Sequence, residues 1–169
     1  MTLDSLNALP SDEARGEFLR CCGSHRWAEL MAARRPFPSM ELLLTRAEEC
    51  WNGLSHEDWK EAFSHHPRIG DVGKLREKFA ATAEWASKEQ SGVAQATDEV
   101  LQSLAAKNHT YEKKFGYIFI VCATGKSAAE MLDLIEERIG NDPGTEIRIA
   151  ADEQSKITRL RLDKLCELS

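Results

Sequence analysis

Nearly every apolar residue in this chain recurs at the spacing of a helix face, and one run does not. Phe115-Gly116-Tyr117-Ile118-Phe119-Ile120-Val121-Cys122-Ala123 is almost wholly apolar and rich in aromatic and β-branched side chains. Locally it reads as a buried strand. The rest of the chain offers no second strand to pair with it. A buried backbone N–H or C=O has to find a hydrogen-bond partner, so a solitary strand is a severe constraint. Either the run is helical after all, or it is extended and something other than a sheet satisfies it. We take it as extended near 117–123, with a ligand bearing amide or urea groups as the expected partner. The expected fold class is all-α: a single-domain helical bundle over 1–169 with one extended apolar segment.

The helices follow from periodicity and capping signals. Ser11-Asp12-Glu13 opens a helix with acidic residues at its positive end, and Phe18, Leu19 and Cys22 give it an apolar face. Trp27, Leu30 and Met31 mark a short helix that stops at Arg35-Pro36-Phe37-Pro38. Ser39 caps a segment in which Leu42, Leu43, Ala47, Cys50 and Trp51 recur at helical spacing, and Ser55-His56-Glu57-Asp58 resembles a capping box ahead of Trp59, Ala62 and Phe63. Leu75, Phe79, Thr82, Ala83 and Ala86 mark another helix. Ser87-Lys88-Glu89-Gln90 is a second capping-box pattern whose helix is expected to reach Ala105 or Ala106, with a separate helical stretch at Tyr111–Lys114. Ser127 begins a helix ending near Gly140, and a long terminal helix runs from about Thr145 to Leu165 with Ile157, Leu160, Leu165 and Leu168 as its apolar stripe. Trp27, Trp51, Trp59 and Trp85 fall on apolar faces and are expected in the core.

Composition narrows the function classes. The chain has 169 residues, 42% hydrophobic and 30% charged, which suits one soluble globular domain with a sizeable core. A net charge of −6 argues against a broad nucleic-acid surface, which needs a basic stripe. No apolar run approaches the length of a membrane helix, and no secretory signal is visible at Met1-Thr2-Leu3-Asp4. The five cysteines, 21, 22, 50, 122 and 166, are odd in number and lack C-x-x-C spacing, so reduced thiols in an intracellular protein are expected. No His or Cys spacing of the kind that holds zinc accompanies them, so no metal site is expected.

The segment with most chemical potential is Ser64-His65-His66-Pro67-Arg68-Ile69-Gly70-Asp71, a short loop between helical segments. Histidine trades protons near neutral pH. Pro67 fixes its own φ and biases His66 away from the helical region, so His66 is aimed by the backbone. The plain alternative is helix punctuation, and the residues alone leave both readings open. Glu89-Gln90 at an expected helix N-terminus could serve an anion or simply cap. Arg161 lies on or beside the apolar stripe of the last helix, where a guanidinium needs a carboxylate, an anionic substrate, or a route to solvent by snorkelling. Gly125-Lys126-Ser127 resembles the end of a phosphate-binding loop, but that motif needs Gly where Ile120 stands, so it is rejected.

Together these residues resemble a known family. Ser64-His65-His66-Pro67-Arg68-Ile69-Gly70 is similar to its A-H-P-x-I-G signature, and Ser87-x-Glu89-Gln90 to its S-x-E-Q signature. Tyr111-x-Lys113-Lys114-Phe115-Gly116-Tyr117-x-Phe119-Ile120-x-Cys122-Ala123 resembles its central block. Glu137-Arg138-x-x-Asn141, Glu146-x-x-Ile149-Ala150 and Glu153-x-x-Lys156-Ile157-x-x-x-Arg161-Leu162 resemble its C-terminal block. Phe18-x-x-Cys21-Cys22-Gly23-Ser24 and Arg35-Pro36-Phe37 fit as well. The family is 2-oxo-4-hydroxy-4-carboxy-5-ureidoimidazoline (OHCU) decarboxylase, of urate degradation. The likeness runs in order along nearly the whole chain and is strongest to the plant form, in which this domain is fused to a transthyretin-like hydroxyisourate hydrolase.

The resemblance implies an all-helical fold, often a homodimer, with no cofactor and a small ureidoimidazoline substrate that is decarboxylated to (S)-allantoin. It implies His66, Glu89 and Arg161 as catalytic residues. It implies substrate contacts from Pro67, from Ala86, Ser87, Lys88 and Gln90, and from backbone groups of Ile118, Phe119, Ile120, Val121 and Cys122. The last set coincides with the unpaired segment. A peroxisomal or cytoplasmic location is expected, although Glu167-Leu168-Ser169 is not a Ser-Lys-Leu-type signal. The competing function class is a non-catalytic helical interaction module that kept the fold. The intact His66, Glu89 and Arg161 favour the enzyme.

Overall fold

The computed structural model describes residues 1–67, 72–80 and 91–167, the side chains of 78–80 and 91–97 excepted. Among the described residues the chain forms nine helices and no strand: α1 (Leu3–Ala8), α2 (Ser11–Cys21), α3 (His25–Ala33), α4 (Met40–Asn52), α5 (His56–Ser64), α6 (Val72–Ala80), α7 (Ser91–Phe115), α8 (Ala128–Ile139) and α9 (Pro143–Cys166). The starts are set by hydroxyl caps. Thr2, Ser24, Ser39, Ser55 and Ser127 each accept a hydrogen bond from the N–H three residues on, satisfying one of the donors a helix N-terminus leaves open.

One helix had no counterpart in the sequence reading, and two expectations are corrected. The N-terminal α1 carried no periodic signal because six residues are too few to show one. Its last carbonyls are held from outside, since Arg35 donates to Leu6 O at 2.9 Å, Asn7 O at 3.2 Å and Leu9 O at 2.7 Å. The helix expected to stop at Ala105 or Ala106 continues through Tyr111–Lys114 to Phe115 as one element. It ends at Gly116, whose φ of +84° is a left-handed conformation that glycine takes without strain. The stripe assigned to α9 was out of phase. Leu160 is 44% exposed, whereas Ile147, Ala150, Ala151, Gln154, Thr158 and Leu162 are buried. Leu168 and Trp85 lie outside the described residues. Trp27 and Trp51 are core residues and Trp59 is half-buried.

The chain divides into two compact units. One comprises Met1–His66 with Ile147–Ser169. In it α3 packs on α2, α4 and α5, around Phe18, Trp27 and Phe37, whose rings meet edge to face at 5.9 and 6.3 Å. Buried indoles keep a polar partner. Trp27 Nε1 donates to Ala47 O at 3.0 Å, and Trp51 Nε1 to Ala151 O at 2.9 Å, which ties α4 to α9.

The other unit is Pro67–Glu146, in which α7 packs on α6 and α8. It contains the segment from Tyr117 to Ala123, which is neither helix nor strand and, among the described residues, pairs with no strand. It is also less buried than expected: Tyr117 and Ile120 are buried, and the others are half-exposed. Two of its carbonyls accept hydrogen bonds from the chain's own cations. Arg138 Nη1 donates to Ile120 O at 2.7 Å, and Lys126 Nζ to Cys122 O at 2.8 Å. Arg138 is 5% exposed, and its remaining donors go to the fully buried Glu146, with Nη2 to Oε2 at 2.6 Å and Nε to Oε2 at 3.0 Å. Tyr111 Oη donates to the same carboxylate, and Asn141 Nδ2 adds a bond of 3.1 Å to Oε1. Burial, reinforced by the bond to Glu146, raises the Tyr111 pKa, so the phenol stays protonated and donates. The guanidinium also lies 4.5 Å from the Phe119 ring centroid.

This cluster generates a stability prediction. Removing one member of a buried, hydrogen-bonded ion pair strands the other, so Glu146→Ala should lower the unfolding free energy by about 3–5 kcal/mol in urea titration. A loss under about 1 kcal/mol would mean that the pair is exposed or replaceable.

Candidate active site

His66 is presented by the end of α5. Its N–H donates to Phe63 O at 3.3 Å, and the His65 N–H to Ala62 O at 3.2 Å, so the chain closes a last tight turn before Pro67 ends it. The two adjacent histidines then diverge. His65 is exposed; its ring is 6.5 Å from that of His25 and lies against Gly23. A Cβ on Gly23 would sit 2.5 Å from His65 Cγ, a distance at which something must move. His66 is half-buried and turns to α9, where its Nε2 meets the side-chain oxygen of Gln154. Gln154 is fully buried, and its amide Nε2 donates to Thr158 Oγ1 at 3.0 Å.

Arg161 lies one turn further along α9. Gln154, Thr158 and Arg161 fall at i, i+4 and i+7, on one face of the helix. The guanidinium is half-buried, and its Nη1 donates to Cys21 O at 3.2 Å. That carbonyl belongs to the last residue of α2, the negative end of a helix dipole, where a cation is favourable. Among the described residues no carboxylate pairs with Arg161, so its stabilising contact is a backbone oxygen. The nearby thiols are inert by environment. Burial pushes Cys21 up to about 12, partly offset by Arg161, and pushes Cys22 up to about 11, partly offset by hydrogen bonds from the Ser24 backbone and the Thr158 side chain.

The structure therefore brings two of the three expected catalytic residues into one unit, His66 and Arg161, both served by the same face of α9. Pro67 is exposed and follows His66 directly. Ile118, Phe119, Ile120, Val121 and Cys122 belong to the other unit, held by Arg138 and Lys126 as described. Glu89, together with Ala86, Ser87, Lys88 and Gln90, lies outside the described residues. Gln154 and Thr158 were missed as supports of His66. Two polar residues at i, i+4 within a long helix were the available signal, hidden because the apolar stripe had been placed out of phase. Chemically, the arrangement offers an aimed imidazole that can hold or move a proton and a fixed cation that can meet an anion.

Comparison with known proteins bears on this geometry. A sequence profile of the OHCU decarboxylase family matches residues 7–163. The chain is 42% identical over 151 residues to the uric acid degradation bifunctional protein TTL of Arabidopsis thaliana, covering 88% of this chain and 46% of that protein. It is 30% identical over 134 residues to the 2-oxo-4-hydroxy-4-carboxy-5-ureidoimidazoline decarboxylase of Amia calva, covering 79% and 75% of the two chains. Among solved structures, it resembles a crystal structure of OHCU decarboxylase in the presence of (S)-allantoin, with a TM-score of 0.70 and 39% identity over 89% of this chain and 97% of that one. A crystal structure of (S)-allantoin synthase shares the fold, with a TM-score of 0.70 at 19% identity. The chain spans about half or less of the length of the bifunctional relatives that it matches.

Two predictions follow from the geometry. Gly23→Ala should displace His65, shift the ring resonances of His66 beside it, and cost roughly 1–3 kcal/mol through overpacking. A variant with unchanged stability and unchanged His66 signals would contradict the packing. For the thiols, burial raises the folded pKa values above the ordinary thiol value of about 9. Below pH 9 neither state ionises and the full stability is present. Above it the unfolded thiols lose protons first, so melting temperature should fall as pH rises from about 9 toward about 12. Cys21→Ala should flatten that fall, and an identical slope in the variant would exclude Cys21 as its source.

Proposed function

Because the chain belongs to the OHCU decarboxylase family, we propose that it decarboxylates 2-oxo-4-hydroxy-4-carboxy-5-ureidoimidazoline to (S)-allantoin, the step that completes urate degradation to allantoin. The observation that carries this reading is the family's His-Pro signature in a chain whose His66 is turned to a buried support while its neighbour His65 is not. The family profile runs across both compact units, which supports treating 1–169 as one decarboxylase domain.

The substrate's own structure dictates what the protein has to supply. The carbon that loses CO₂ carries a hydroxyl and neighbours an imine-like C=N. When the C–CO₂ bond breaks, its electron pair moves toward that C=N. The ring nitrogen of that C=N takes up a proton as it receives the pair, loss of the hydroxyl proton restores a carbonyl, and protonation of the adjacent ureido-bearing carbon completes allantoin, with a net uptake of one proton. The ring is its own electron sink, so the reaction as written requires no cofactor. His66 engages the hydroxyl and carboxylate region and orients the departing CO₂, where one positioned acid/base contributes roughly 10²–10⁴-fold. Arg161 holds an anionic group of the substrate as a fixed charge. Glu89, or a water it orients, delivers the proton to one face and so sets the enantiomer.

Pro67, Ala86, Ser87, Lys88 and Gln90 wall the substrate, and the backbone of Ile118 to Cys122 pairs with its ureido and ring amide groups. The reading includes a homodimer, cooperation with a transthyretin-like hydroxyisourate hydrolase, and a peroxisomal or cytoplasmic setting. The bifunctional relatives support the cooperation, since in name they combine activities of uric acid degradation in one polypeptide.

The test is circular dichroism during urate breakdown, with urate oxidase and hydroxyisourate hydrolase supplied. The unsubstituted chain should build the lasting signal of (S)-allantoin. His66→Ala should fall to the spontaneous reaction, which gives racemic product and no lasting signal. A His66→Ala rate equal to that of the unsubstituted chain would sink the proposal.

A further inference from the structure

The terminal helix has a second face that the site does not use. Gln154 and Arg161 point from α9 into their own unit. The opposite side carries Arg148, Asp152, Ser155, Arg159 and Asp163, at i, i+4, i+7, i+11 and i+15, which is one stripe along a helix. Arg148, Asp152 and Arg159 are exposed, and Ser155 and Asp163 are half-buried. Among the described residues none of the four charged side chains enters an ion pair. Their spacing explains that. Arg148 with Asp152, and Arg159 with Asp163, stand four apart with the cation first, the poorer order for a pair within a helix. Lys156 follows Asp152 in the better order but pairs with Glu153. Beside the stripe a groove of about 390 Å³ opens between α4 and α9, lined by Leu44, Ala47 and Trp51 and by the charged Glu48, Asp152 and Arg159.

The order of the charges carries the inference. Along the helix they run plus, minus, plus, minus, with Ser155 in the middle. Read backwards they run minus, plus, minus, plus. A copy of α9 laid antiparallel therefore meets the stripe with opposite charges throughout. With a twofold axis between Ser155 and Lys156, Asp152 faces the second copy's Arg159, Arg148 faces the second copy's Asp163, and each pair occurs twice. The small Ser155 sits at the crossing, where two helices come closest. Helices crossing at about 20° diverge little over the ~10 Å of helix between Asp152 and Arg159. The groove beside the stripe offers the second copy's side chains apolar surface to cover. One self-complementary patch of this kind is what a twofold contact requires.

We propose that this stripe of α9 is the surface on which a second copy of the chain docks, antiparallel, with Asp152 against the second copy's Arg159 and Arg148 against the second copy's Asp163. The inference rests on the homodimer included in the functional reading and gives it a surface; it needs nothing from the chemistry at His66.

The experiment measures mass by light scattering after size exclusion over a range of concentrations, with (S)-allantoin formation followed on the same samples. The unsubstituted chain should be a dimer whose Kd rises with sodium chloride, since exposed charges are screened. Arg159→Asp sets carboxylates against each other at both ends of the contact, and Asp152→Arg does the same with guanidiniums. Each variant alone should raise Kd by roughly 10–100-fold, because like charges are brought together twice. Mixed in equal amounts, the two variants should recover the dimer, because every contact between them is again between opposite charges. Unaltered helical circular dichroism in each variant separates loss of docking from unfolding. Single variants that dimerise as tightly as the unsubstituted chain would overturn the surface and leave a homodimer built through another face. A mixture that stays monomeric would overturn the antiparallel register. An unsubstituted chain that is monomeric at every concentration would overturn the surface and the homodimer together. A dimer that follows these charges but produces no (S)-allantoin leaves the surface standing while the decarboxylase reading fails.

Discussion

A non-helical apolar segment inside an all-helical protein depends on one arginine. Arg138 spends its donors on two acceptors that would otherwise be costly to bury: the Glu146 carboxylate and the Ile120 carbonyl. An ion pair withdrawn from water repays its desolvation only when geometry and additional hydrogen bonds are good. Here Tyr111 and Asn141 complete the carboxylate, and the Phe119 ring faces the guanidinium. The same cluster therefore joins α7, α8, the first turn of α9 and the non-helical segment. Without it, Ile120 would have to rejoin a helix or find a sheet, and the fold supplies no sheet among the described residues.

The other unit solves a different problem with similar means. A histidine held in one orientation needs a backbone that aims it and a partner that fixes its ring. The tight turn after α5 and Pro67 provide the first. The buried face of α9 provides the second through Gln154, and the same face carries Thr158 and Arg161. Arg161 in turn braces the end of α2, whose next residues include Gly23, the glycine that leaves room for His65. One helix thus fixes the imidazole and the cation together, so their relative placement is as rigid as the helix itself.

Much of this was legible in the sequence. The serines before α4, α5 and α8 announced those helices because a hydroxyl cap is a local interaction, complete within three residues. The His-Pro loop was legible for the same reason. The non-helical segment was visible as a break in helical period, but its partners were not, since Arg138 lies 18 residues from Ile120 and only tertiary folding joins them. The α9 stripe was misphased because Leu160 looks like core in a one-dimensional pattern and is exposed in the structure. That error concealed Gln154, since a polar residue reads as solvent-facing until the correct face is known. Arg161 was expected to meet a carboxylate, an anionic substrate, or solvent by snorkelling. Among the described residues its contact is a carbonyl at a helix end, a choice that no residue spacing encodes.

The central claim is that this chain controls the stereochemistry of a decarboxylation that also proceeds unaided. The most direct measurement is the enantiomeric composition of allantoin, read by chiral chromatography immediately after the substrate generated from urate is consumed in the presence of the unsubstituted chain. The account predicts (S)-allantoin essentially alone, formed faster than in the chain's absence. Racemic allantoin formed at the spontaneous rate would contradict it.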